Sequence, residues 1–207
     1  MSNGIYFRAE EDTLANPCVI EDGKKLPLFT PDSPIAKRCL ALARIETELT
    51  QAILLAKMID AEQQAHVNLA FWQSAIMSYA RCFSKAWGRG TTLETEHVDR
   101  AGSTFLPVHD RIMELRNQYI AHAGDHTEEI DRIVVSLTRD PTPQAVNSTH
   151  YFLMSRMGPK TESRDSLVDL CSALISVVTD VRASTESRLL QDCRNHDLDE
   201  LYRIACG

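Results

Sequence analysis

Apolar residues recur at every third or fourth position through most of this chain, which restricts it to helices that bury one face. Ile35, Cys39, Leu42, Ile45, Leu49, Ile53, Ala56 and Ile59 form one such stripe, the period of an amphipathic helix rather than a strand. Ser33 before Pro34 supplies a start: a hydroxyl to cap, then a residue with no N–H to lose. The spacing predicts a first helix from 34 to about 61, with a stop or kink near Asp60. Leu69, Trp72, Ile76, Tyr79, Phe83 and Trp87 predict a second helix over roughly 64–87, closed by Gly88 and Gly90. Residues 91–104 read as a polar connection with about one helical turn.

A third helix is predicted over roughly 105–123. Its stripe is Val108, Ile112, Leu115 and Tyr119, with His122 as the next step and Gly124 as the stop. The period then changes. Ile133, Val134, Val135 and Leu137, then Tyr151, Phe152, Leu153 and Met154, flank Pro141, Pro143 and Asn147. That pattern reads as a β-hairpin at about 130–157. Leu167, Leu170, Cys171, Leu174, Val178, Val181 and Leu189 predict a long helix over 163–193, followed by a short one at 197–205. Residues 1–33, broken by Pro17, Pro27 and Pro31, form an irregular lead-in. The expected fold is mainly α: a helical bundle of about four long helices with a small β-hairpin insertion, in one domain over 34–207.

The bulk properties narrow the function. With 207 residues the chain is long enough for one sizeable core. Its net charge of -7 gives no general attraction to nucleic acid. Six basic against five acidic side chains between residues 81 and 116 make only a mild local excess. The six cysteines lack any Cys-x-x-Cys pair and read as reduced, buried thiols. Met-Ser-Asn-Gly opens without an apolar signal region, and no stretch approaches the ~20 apolar residues of a membrane span. The expectation is a cytoplasmic protein with no membrane contact.

Among the charged residues, Leu115-Arg116-Asn117 and Ala121-His122-Ala123 stand out, with Arg116 and His122 separated by five residues. An arginine can hold a phosphate, and a histidine can move a proton near neutral pH. Composition alone yields about one or two Arg–His pairs at such spacing, so the spacing by itself carries no weight. Around a regular helix the two positions lie about 120° apart. One helix does not aim both at one phosphate, so a shared site needs a tightened last turn or a second protomer. His122-x3-His126 has metal-ligand spacing, but Gly124 interrupts it, and no metal or other cofactor is expected.

The wider context, His109-Asp110-x4-Leu115-Arg116-Asn117-x3-Ala121-His122-Ala123 with Tyr79-Ala80-Arg81-x-Phe83 in the preceding helix, resembles the HEPN superfamily and its abortive-infection and toxin-like members. The resemblance covers about residues 64–124 and, loosely, the last long helix. It implies a homodimeric, metal-independent endoribonuclease of a defence or toxin system, acting on RNA and held in check by an antitoxin protein. It implies His122 as general acid or base, Arg116 as phosphate clamp and Asn117 as an orienting residue. Arg81, Tyr79 and His109 are carried as candidate substrate contacts beside them. Domains of this superfamily also serve as non-catalytic binding or regulatory modules, which is the alternative expectation.

Overall fold

In the computed structural model, the described residues are 20–21, 23–85, 90–117, 129–137, 146–155 and 161–206. They are mainly helical. The order is β1 (Ile20–Glu21), β2 (Lys24–Lys25), α1 (Pro34–Lys57), α2 (Ala65–Phe83), α3 (Thr95–Ala101), a 3₁₀ turn (Ser103–Phe105), α4 (Leu106–Arg116), β3 (Glu129–Leu137), β4 (Val146–Ser155), α5 (Thr161–Arg194) and α6 (Leu198–Cys206). The chain divides into two compact units, Met1–Cys39 with Ala183–Gly207, and Leu40–Arg182.

Leu40–Arg182 holds the main core. Leu42, Ile45, Leu49, Ala52 and Ala56 of α1 meet Trp72, Ile76, Tyr79 and Cys82 of α2, Val98 of α3, Ile112 and Leu115 of α4, and Leu167, Leu170, Cys171, Leu174 and Val178 of α5. These are nearly the stripe residues read from the sequence, because helical periodicity and a single buried face select the same positions. Removing such side chains from water is the dominant stabilising term, on the order of 1.5–3 kcal/mol for each large aliphatic.

Polar contacts fix the helix directions within this unit. Glu46 Oε1 accepts from Thr179 Oγ1 at 2.9 Å and from Arg182 Nε at 3.1 Å. At the other end, Arg164 Nη1 donates to the Ile59 carbonyl at 3.2 Å. The start of α5 therefore lies beside the end of α1, and the two run antiparallel. Cys82 beside the Ile45 carbonyl and Arg81 beside Glu48 place the end of α2 against the middle of α1.

The helix ends follow local chemistry. Ser33 Oγ accepts from the Ala36 N–H at 3.1 Å, capping α1. α1 stops at Lys57, four residues short of the expected end near 61. Asp60 accepts from its own second neighbour, Glu62 N–H, at 3.1 Å, and exchanges two bonds with Asn68 at 2.6 and 3.1 Å. Those side-chain bonds offer the backbone a turn in place of another helical turn. α2 ends at Phe83, where Ser84 turns extended and the Cys82 carbonyl accepts from Leu93 N–H at 2.8 Å. Trp87 and Gly88 lie outside the described residues.

The connection at 91–104 is more ordered than its polarity suggests. It forms α3, which buries Val98 completely, with His97 Nδ1 accepting from the Glu94 N–H. Gly102 then takes φ +147°, and a Cβ there would press on the Phe105 ring at 3.3 Å. Only glycine makes this sharp passage into α4 without strain.

β3 and β4 pair antiparallel from Glu129↔Ser155 to Leu137↔Val146, with an irregularity between Ser136 and Leu137. Val134 and Val135 are both exposed. Among the described residues no helix is long and apolar enough to cross a membrane.

Candidate functional site

α4 carries the residues on which the sequence reading converges. Pro107 sits in its first turn, and His109, Ile112 and Leu115 are its buried positions. The buried stripe thus starts at His109, while Val108 is only partly buried. His109, Ile112 and Leu115 are successive i, i+3 positions, so the helix faces the core slightly rotated from the Val108-based reading.

His109 is a core residue, 7% exposed, and Tyr79 beneath it is fully buried. Tyr79 Oη lies 2.7 Å from His109 Nδ1. Phe83 packs on both rings, with centroids 4.5 Å from His109 and 5.1 Å from Tyr79. Burial lowers the His109 pKa, against a smaller opposing effect of Asp110. It also raises the Tyr79 phenol, reinforced by Cys171, Cys82 and Asp110. With both groups neutral, the arrangement in which Tyr79 O–H donates to Nδ1 and the imidazole proton sits on Nε2 gives the phenol proton an acceptor; the reverse direction leaves it with no acceptor among the described residues. These two candidate substrate contacts therefore spend their facing polar atoms on each other, joining α2 to α4.

Arg81 is placed differently again. Its Nε and Nη2 both donate to Glu48 Oε2, at 3.0 and 2.5 Å. Its charge is compensated within the chain, as is that of Arg111 by Glu114 at 2.8 Å.

Arg116 closes α4 half-buried, next to exposed Asn117. Arg116 Nη1 donates to Asn117 Oδ1 at 2.9 Å. Among the described residues no carboxylate pairs with this guanidinium, so Glu114 and Asp110 leave its charge uncompensated. A guanidinium has five N–H donors in a planar fork. The amide oxygen takes one from the Nη1 side, and the others remain for a planar anion such as a phosphate. A cation in the last turn also suits the negative end of the helix dipole.

His122 and His126 lie outside the described residues, so the structure does not relate His122 to Arg116. Among the described residues no three His, Cys, Asp or Glu side chains come together as a metal site. Among the described residues Cys39, Cys82, Cys171 and Cys193 form no disulfide, and burial raises the pKa of Cys171.

The Tyr79–His109 link escapes a reading by apolar stripes, because histidine is scored as polar. Its signal was the i, i+3, i+6 placement of His109 with Ile112 and Leu115. Compared with protein-family models, curated proteins and solved structures, the chain finds no match in any of the three.

Proposed function

We propose that this chain is an HEPN-like endoribonuclease of the defence or toxin kind, built on a helical bundle and working without a metal. Arg116 holds the scissile phosphate and stabilises the charge that develops on it. His122 moves the proton to or from the ribose 2′-hydroxyl or the leaving 5′-oxygen. The attacking oxygen belongs to the substrate, which confines the reaction to RNA. On a regular helix the two positions would lie about 120° apart, and a homodimer in which two motifs share one cleft would bring them together, as would a tightened last turn. The observation that supports the reading is Arg116 itself: a helix-end guanidinium, bonded to Asn117, with no carboxylate against it among the described residues.

The test is cleavage of an RNA pool by the purified protein in EDTA. Arg116→Ala and His122→Ala should each abolish it with folding intact, and His122→Ala should relieve growth inhibition on overexpression. Cleavage unchanged in both variants rejects the proposal. An antitoxin partner would appear as a protein that suppresses the same toxicity.

A second reading, a non-catalytic HEPN-like module, draws on the internal engagement of Tyr79, His109 and Arg81. Those side chains leave Arg116 with little supporting machinery on the described part of the protomer. This reading expects no cleavage of any RNA.

A further inference from the structure

Within the unit formed by Met1–Cys39 and Ala183–Gly207, the chain forms an open hollow of about 270 Å³ that Arg116 does not reach into. Pro27, Phe29, Leu190, Leu201 and Tyr202 form apolar walls, and Cys193 and Arg194 of the last turn of α5 complete the lining. Leu190 is 56% exposed and Tyr202 61%. Two large apolar side chains left open on one small concavity mark a surface shaped for a ligand.

The charges choose the ligand. Arg203 of α6 is held by Glu200 through two bonds of 2.7 and 2.6 Å. Arg194 has no carboxylate partner among the described residues, so its charge is available to the cavity it lines. The carbonyls at the end of α5 carry partial negative charge and repel an anion, and Arg194 reverses that field locally.

We propose that this cavity binds a small hydrophobic monocarboxylate, aryl or medium-chain acyl. The apolar body lies against Phe29, Leu190, Leu201 and Tyr202, and the carboxylate takes the Arg194 fork. The volume, about 270 Å³, lies near the ~300 Å³ lower end of small-molecule sites and suits a small ligand. A single cation among apolar walls leaves a phosphate dianion partly uncompensated and offers a sugar too few polar partners.

The position of Cys193 supplies the readout. The full-length protein is treated with iodoacetamide, and modification is followed at each cysteine by mass spectrometry, with decanoate or decanol at equal concentration. Decanoate should slow alkylation of Cys193 and leave Cys39 unchanged. Decanol, matched in length but uncharged, should protect at least about tenfold more weakly, the loss expected for a charged hydrogen-bonded partner. Arg194→Gln, a change at an exposed position, should weaken decanoate protection by a similar factor. Absence of protection by decanoate overturns the proposal. Equal protection by decanol, or undiminished protection in Arg194→Gln, overturns the assignment of Arg194 and of the carboxylate.

Discussion

Tyr79 and His109, thirty residues apart in sequence, meet at 2.7 Å in the core and form a polar tie between α2 and α4. The bond sits under Phe83 and seven residues before Arg116 on the same helix. Seven residues are nearly two full turns, so His109 and Arg116 lie close to one line along α4. The tie therefore constrains the rotation of the helix that presents Arg116.

Tyr79→Phe keeps the ring and removes the donor, leaving His109 Nδ1 buried without a partner. The expected cost is about 1–3 kcal/mol, read from urea denaturation. Adding His109→Leu should cost less than the sum of the two single changes, because the unsatisfied acceptor is gone. Strict additivity would show that the bond contributes nothing to stability.

The pH dependence follows from burial of His109. Its pKa is lowered in the folded protein, against an ordinary value near 6.5. The unfolded chain therefore binds the extra proton first. The corresponding stability is fully present above about pH 6.5 and is lost as pH falls from there toward the lowered folded value. The denaturation midpoint of the wild type should drop over this interval more steeply than that of His109→Gln. Parallel curves would remove His109 as the source.

Arg116→Ala separates function from folding. The side chain closes a helix and compensates no carboxylate among the described residues, so stability should change by no more than about 0.5 kcal/mol. RNA cleavage should fall by about 10²-fold or more, the scale of removing one charge-stabilising donor. Asn117→Ala should lower cleavage less, since the guanidinium remains and loses only its orienting bond. A large loss of thermal stability in Arg116→Ala would mark the residue as structural.

Arg81 gives a contrasting expectation. Its side chain is 47% exposed and that of its partner Glu48 18%; a pair open to solvent on the arginine side contributes on the order of 1 kcal/mol, less at high salt. Arg81→Ala should cost no more than that and leave RNA cleavage within about twofold of wild type, a bound set by the small size of the pair. A loss matching that of Arg116→Ala would place Arg81 on the substrate despite its partner.

Elements built from local rules were legible in the sequence. α1 begins at Ser33 and Pro34 and α5 covers the expected long segment, because capping chemistry and apolar periodicity are written in neighbouring residues. The end of α1 was harder, since the turn at Asp60 depends on Asn68 reaching back eight residues. α3 was read as about one turn because its buried residue, Val98, stands alone among polar neighbours.

The sequence by itself determined that this chain is mainly helical, which faces of its long helices are buried, and which arginine merits attention. Only the tertiary structure decided what the polar side chains do. Glu46 takes Thr179 and Arg182 from more than 130 positions away, Glu48 takes Arg81, and His109 takes Tyr79. Among the described residues Arg116 pairs with Asn117. Periodicity reports how a residue sits on its own helix. The partner of a polar group is set by which helices pack together, and the cost of leaving a buried group unpaired makes that choice specific.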